Sequence, residues 1–517
     1  MDFSNIAPVA TAIFILLPLM LSVDSDLSIR PYSELLIILS VALLVHQVRK
    51  NSSPSHPHGP VALPYLGHYL ELQREPYELA RRISGQHGSL VELRFGPNKV
   101  IVLNDWDTIR TTLASNNFSD RPEWLSMQLQ SEAYGRFAFR RCGQHWKHLR
   151  KSTVTAITLL RNQCLTQTQQ YCHQAIEELL ATLRTTEGNP IDPSLLMFAC
   201  FVHVVGKLIF GPENFDHRDP RLQEIFCSTP EMDGMFRIGC LTDCFAWMKL
   251  LRRKTIADIR RVNGKFDDFV IQKVDNRIER RSTDIACLVD ALRCVAQKEQ
   301  PTTESDVNFT CYAAMDAFGA GLFTSIANAK WSLLLLAKYP NIQKRLRSEI
   351  MEYVGCQQFV SMEHRASLNY AEAFMNEVLR FATVLPLAIP HASVSETLLL
   401  NYHCPKSTPV LANLWAAHRD PAVFSNPDEF NPDRFLDNNG CLDRKLLSRV
   451  IPFSTGARRC PGEPLARQNL FLIITNLVKY FEIQFAHETD NYDDLTQCVF
   501  NFTRSPRPFE LRFRSLS

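Results

Sequence analysis

The chain has 517 residues, and 56 Lys+Arg against 54 Asp+Glu leave a net charge of +2, which excludes the broad cationic face of a nucleic-acid-binding protein. Hydrophobic residues at 45% and charged residues at 21% supply enough apolar surface for a large core and exclude disorder for the bulk of the chain. Fifteen cysteines, none in C-x-x-C spacing, exclude a disulfide scaffold and a structural zinc site, and 19 Gly with 29 Pro exclude a collagen-like chain.

Two apolar runs open the chain, Pro8 to Val23 and Leu35 to Val45, separated by Asp24, Asp26, Arg30 and Glu34. The first lacks a basic leader and carries Pro18, which argues against a cleaved secretory signal. The second ends at Arg49-Lys50, a basic pair that favours the cytosolic side of a thin bilayer. Residues 1–50 are therefore predicted as an N-terminal membrane anchor region, with one or two spans both open. Residues 51–67, punctuated by Pro54, Pro57, Pro60 and Pro64, read as a Pro-rich hinge, and residues 68–517 as one catalytic domain.

Beyond the hinge, Ser89 to Phe95 and Val100 to Leu103 predict a hairpin around Gly96-Pro97-Asn98, followed by a helix beginning near Asp105. A second small strand region is expected at about 397–411. Residues 145–185, 255–298 and 306–340 carry helical apolar spacing, the last stopped by Pro340. The fold class is thus mainly α with a small β region. Small residues from Ala313 to Gly321 let something approach the backbone of the last helix, while Asp316, Asn328 and Lys330 argue against a third membrane span.

Near the C-terminus stands Phe453-Ser-Thr-Gly456-Ala-Arg458-Arg-Cys460-Pro-Gly462, before an apolar helix running to about Tyr480. Such a loop presents the sulfur beside a helix N-terminus, where backbone N–H groups favour a thiolate, the chemistry of an axial haem ligand. At these residues the sequence resembles the cytochrome P450 superfamily, whose haem-binding signature is Phe-x-x-Gly-x-Arg-x-Cys-x-Gly. The resemblance implies Cys460 as the thiolate metal ligand to haem iron, Arg458 as partner of a haem propionate and Phe453 as a shield beside the sulfur.

Further motifs fall where the resemblance requires them. Glu377-Val-Leu-Arg380 sets both side chains on one helix face. With Arg434 in Pro432-Asp-Arg434-Phe435 it implies a buried structural charge cluster; Glu78-Leu-Ala-Arg81 fits the same spacing and is given no role. Trp146 and Arg150, four apart, and more distantly Arg121 and His391, are implied to contact haem propionates. Lys147, Lys151, Arg140, Arg141 and Arg459 suggest a basic surface for an acidic flavin-domain partner.

The resemblance runs from residue 57 to 517, with a texture close to the animal microsomal group that contains steroid 17α-hydroxylase and polycyclic-aromatic-hydrocarbon hydroxylases. It implies the cytochrome P450 fold with an N-terminal membrane anchor, an endoplasmic reticulum membrane location with a cytosolic catalytic domain, and no nucleic-acid partner. Its cofactors would be haem and, indirectly through a flavoprotein reductase, NADPH. NADPH–cytochrome P450 reductase and cytochrome b5 are the protein partners it suggests.

One departure stands out. Ala320-Gly321-Leu322-Phe323-Thr324 has Phe323 where the family places an acid before the threonine. By resemblance Thr324 is a catalytic residue that hydrogen-bonds dioxygen and positions water, but the adjacent carboxylate relay is missing. The reading is a haem-thiolate monooxygenase inserting one oxygen atom from O2 into an apolar organic substrate, a sterol or steroid, fatty acid or xenobiotic. Two alternatives stand beside it: a haem-thiolate isomerase or dehydratase acting on lipid peroxides without external electrons, and a non-catalytic haem- or lipid-binding protein. Phe137, Phe139, Phe201, Phe318, Phe323 and Phe500 are expected to line an apolar pocket.

Overall fold

The computed structural model describes residues 57–516 apart from 58, 74, 132–136, 214, 228–233, 281–283, 300–303, 488–491, 493 and 496. The anchor expected at 1–50, and residues 51–56 and 58 of the hinge, lie outside the described residues. The described chain is mainly helical with small sheets, and it divides into two compact units.

The first unit takes the described residues up to 127 together with 234–253 and 387–417. Helix α1 (Pro76–His87) precedes a hairpin of β1 (Leu90–Phe95) and β2 (Asn98–Leu103), in register from Leu90 opposite Leu103 to Phe95 opposite Asn98. The turn is only Gly96-Pro97, so β2 starts two residues earlier than the sequence suggested. Gly96 sits at φ +61°, and a Cβ there would come within 2.6 Å of the Cys244 carbonyl oxygen. Helix α2 (Trp106–Ala114) is capped by Asp105, whose carboxylate accepts from the Thr108 N–H at 2.9 Å. The later strand region resolves into β3 (His391–Ala392), β4 (Thr397–Leu399), β5 (Tyr402–Cys404) and β6 (Pro409–Ala412). Strand β6 pairs parallel with β2 and antiparallel with β3, giving a four-stranded sheet in the order β1-β2-β6-β3, while β4 and β5 form their own hairpin.

The second unit holds the long helices. The stretch expected at 145–185 is α3 (Gln144–Gln163) and α4 (Leu165–Thr185), broken at Cys164, whose ψ of 29° leaves the helical region. Helix α5 (Pro193–Phe210) follows. The stretch at 255–298 is likewise two helices, α6 (Arg253–Glu279) and α7 (Leu288–Glu299). Helix α8 (Glu304–Lys338) has 35 residues, on the order of 50 Å at about 1.5 Å per residue. Pro340 both ends it and opens α9 (Pro340–Val354) from the first turn, where its missing N–H removes no bond. Helix α8 packs against α5, α7, α10 (Asn369–Ala382) and α11 (Glu463–Tyr480). The pairs β7 (Phe481–Phe485) with β10 (Leu511–Ser515), and β8 (Cys498–Phe500) with β9 (Arg504–Pro506), finish the unit.

Among the described residues, Pro193–Phe210 and Phe309–Lys338 are long and apolar enough to cross a membrane, yet most of each is buried within the second unit. The side chains that make them apolar are those that pack the core.

Candidate active site

The thiol loop is built by backbone hydrogen bonds. The Cys460 N–H donates to the Phe453 carbonyl at 3.0 Å, and the Arg459 N–H to the Gly456 carbonyl at 3.1 Å. Ser454 at φ +61° and Gly456 at φ +74° make the reversal that turns the sulfur inward. Gly462 then caps α11, and the N–H groups of Gly462 and Glu463 point at the Cys460 sulfur.

Burial pushes the Cys460 thiol up; the Gly462 and Glu463 N–H groups and the nearby Arg150 charge act against it, and the Glu463 carboxylate with it. The N–H groups thus act in the direction expected from the sequence, with burial opposing them. A thiol so placed is anionic when a cation binds it.

Around the loop, the Arg458 guanidinium lies 3.8 Å from the centre of the Trp146 ring and donates to the carbonyls of Phe137 at 3.2 Å and Arg140 at 2.8 Å. The Trp146 indole N–H is buried without an acceptor among the described residues. Arg150 donates to the Arg459 carbonyl.

Thr324 donates its hydroxyl proton to the Ala320 carbonyl at 2.6 Å, one turn back along α8, so toward its surroundings the oxygen acts as an acceptor. Most of α8 on either side is buried, but Ala320 is exposed and Gly321, Phe323 and Thr324 are half-exposed. The loop from Ile451 to Cys460 is nearly all half-exposed as well. The loop leads into α11, which packs on α8, so these accessible segments lie on neighbouring elements of the second unit and offer a cradle. Asp316, eight residues before Thr324, accepts from the Ala138 N–H at 3.0 Å and so anchors the segment that Arg458 also holds.

Glu377, Arg380 and Arg434 meet with almost no exposure. Glu377 takes two 2.7 Å bonds from Arg380, one of 3.0 Å from Arg434 and one of 2.9 Å from the Asn431 N–H. Arg380 also donates to the carbonyls of His418, Pro427 and Glu429. Glu78 and Arg81 pair at 2.8 Å, but both are partly exposed.

Arg121 and His391 lie in the first unit, on segments joined by a bridge between Asp120 and Ala392. Arg121 donates to the carbonyls of Ile389 and Pro390 at 3.0 and 2.7 Å, and His391 Nδ1 lies 2.8 Å from the Phe118 carbonyl. Of the phenylalanines expected to line a pocket, Phe201 and Phe318 do not: both are fully buried, and Phe318 packs among Phe210, Phe266 and Phe269 with ring centres 5.4–5.9 Å apart. An aromatic next to a cavity-lining helix turn reads the same in sequence whichever way it faces.

Sequence reasoning missed three residues that hold the loop. Glu463 accepts from Arg459 at 2.8 Å and from Arg467 at 2.9 Å; Arg467 also donates to Asn376 at 3.0 Å and lies 5.2 Å from the Phe453 ring centre. The Glu-to-Arg spacing of four at the start of a helix was the available signal. His418 is the third: the Ile451 N–H donates to its Nε2 at 2.9 Å and Nδ1 lies 3.0 Å from Thr383 Oγ1, while burial, with the Arg380 and Arg419 charges, holds its pKa well below the usual histidine value.

These residues fit a haem: a thiol with N–H groups aimed at its sulfur, an orphaned indole N–H beside a stacked guanidinium, and an accessible stretch of α8 at Ala320, Phe323 and Thr324. Fold and site define a haem-thiolate oxidoreductase. The chain belongs to the cytochrome P450 family, whose model matches residues 57–513. It is similar to cytochrome P450 1B1 of Homo sapiens, 29% identical over 513 residues, covering 93% of this chain and 92% of that one. It is similar also to cytochrome P450 2F2 of Rattus norvegicus, 31% identical over 502 residues (93% and 98%), and to cytochrome P450 2A9 of Mesocricetus auratus, 30% over 470 (89% and 94%). It is a monooxygenase whose cofactors are haem, held through a thiolate, and NADPH, which serves through a reductase.

Proposed function

We propose that this monooxygenase inserts one oxygen atom from O2 into an apolar organic substrate, a sterol or steroid, fatty acid or xenobiotic, with Cys460 as the axial ligand. The carrying observation is the Cys460 thiol set between the Gly462 and Glu463 N–H groups and Arg150. Bound haem supplies the oxygen activation. Around it, Trp146 and Arg458, with Arg150, offer donors to the cofactor's carboxylates, and Arg121 and His391 are assigned the same role. Glu377, Arg380 and Arg434 hold the segments flanking the thiol loop. Thr324, an acceptor toward the cradle, fixes a water by taking its proton in a hydrogen bond, and Phe323 beside it excludes further water.

We assign the protein to the endoplasmic reticulum membrane with the catalytic domain cytosolic, and NADPH–cytochrome P450 reductase and cytochrome b5 as its partners. In the first unit, Val61, Leu63, Leu70, Trp247, Leu250 and Leu251 are exposed, the Trp247 indole N–H donating to the Tyr65 hydroxyl at 2.9 Å. Lys249, Arg252 and Arg253 lie exposed in the same stretch. Apolar side chains ringed by cations suit peripheral contact with an anionic bilayer surface.

Cys460→Ser tests the site, since a neutral hydroxyl is a poor axial donor. The thiolate-type spectrum of the reduced carbon-monoxide complex should disappear; an unchanged spectrum would remove Cys460 as ligand. Difference spectra against sterols, fatty acids and polycyclic aromatics then identify the substrate class.

A further inference from the structure

The Glu463 carboxylate bears on the Cys460 thiol, and it is held between two arginines of different character. Arg467 is mostly buried and fixed on three sides, by Glu463, by Asn376 and by the Phe453 ring. Arg459 is not: its side chain is 61% exposed, and Nε and Nη2 both donate to the same Glu463 oxygen, at 3.0 and 2.8 Å. An exposed ion pair of this kind is worth about 0–1 kcal/mol, so a competing carboxylate displaces it readily. Lys147, next to the buried Trp146 on α3, is exposed too, and Arg150 of the same helix bonds the Arg459 carbonyl. One half of Glu463's neutralisation is thus permanent and the other open to exchange.

We propose that Arg459 couples an acidic electron-donating partner to the thiolate: carboxylates of the partner draw Arg459 off Glu463, and the carboxylate, then neutralised by Arg467 alone, lowers the reduction potential of the bound haem. The direction follows from charge, because uncompensated negative charge near the Cys460 sulfur would favour the higher oxidation state of an iron bound there, and Glu463 is too buried for salt to screen it fully. Arg459 is a positioning residue in this scheme, acting through Glu463. The inference rests on Cys460 being the ligand, and the partner is recognised by its acidity, the property that a basic face selects.

The test is spectroelectrochemical titration of the haem-loaded full chain at low ionic strength, with and without oligo-glutamate as the acidic probe. In the wild type the probe should lower the potential, and high salt should restore it. Arg459→Gln should show the lowered potential without the probe and no further response. Arg459→Lys should behave as the wild type, which separates loss of charge from loss of fold. Glu463→Gln should abolish the response while the probe still binds. A wild-type potential in Arg459→Gln, or an undiminished probe response in Glu463→Gln, would overturn the proposal. Loss of the thiolate-type carbon-monoxide spectrum in the wild type would instead sink the ligand assignment, so the two failures are distinguishable.

Discussion

Phe323 and Thr324 sit side by side on α8 with opposite chemistry. The hydroxyl oxygen is available as an acceptor, whereas the ring holds no proton to move. Asp316 does not stand in for a missing acid as a free group, since it accepts from Ala138. Phe323→Glu should therefore raise product formed per NADPH and lower hydrogen peroxide release, measured together on mutants that hold haem normally; unchanged or worse coupling would mean that protons arrive by another path. Glu377 has the opposite situation, since it is fully buried and bonded from four directions. Removing it leaves two guanidiniums without a counter-charge, so Glu377→Ala should cost roughly 3–5 kcal/mol and yield little holo-protein. Normal melting and haem content in that variant would show that the cluster does not hold the fold.

The short helix Leu125–Ser131 begins where Asp243 reaches it. Asp243 accepts from the Ser126 N–H at 3.0 Å and from the Ser126 hydroxyl, as an acid caps a helix start, but it is almost fully buried. Burial, opposed by the Ser126 bonds, pushes its carboxyl up from 3.8 to about 6. A carboxyl raised in the fold binds protons more tightly folded than unfolded, so it penalises the fold above pH 6 and the penalty fades as pH falls toward 4. Asparagine keeps an acceptor for the N–H and offers a donor to the hydroxyl. Asp243→Asn should thus gain up to about 3 kcal/mol at pH 8 and little at pH 4, read from denaturant melts at both; a gain equal at both pH values would show that the charge is not the cause. The same scale shows where the sequence misleads. Leu160, Cys164 and Thr168 are each buried four residues apart, so the apolar period runs unbroken through the break between α3 and α4, and neither Gly nor Pro marks it. The hairpin, the Asp105 cap, the end of α8 and the start of α11 were legible because Pro, Gly and Asp impose them locally.

At the scale of the whole molecule, the thiol loop was legible because its fixed residues are contiguous, and the clamp of Glu463 on Arg459 and Arg467 carried a signal in its spacing of four, while the strut through His418 carried none. His418 and Ile451 are 33 residues apart and meet only after folding, and no spacing rule reaches across that distance. Topology is the other long-range question, and one surface residue answers it. Asn117, in the sequon Asn117-Phe118-Ser119, is exposed in the first unit, with its side-chain amide donating to Thr397 Oγ1 at 3.0 Å on the surface. Burial cannot therefore keep a glycosylating enzyme from it, so its modification state reports the compartment. Arg49-Lys50 favours the cytosolic side for everything that follows. Expressed in cells with its whole chain, the protein should show no glycosidase-sensitive mass at Asn117. A sequon engineered ahead of residue 8 then separates one span from two, since glycan addition there requires that end to face the lumen. A glycan at Asn117 itself would place the catalytic domain in the lumen, away from a cytosolic reductase, and would overturn both the topology and the electron supply that depends on it.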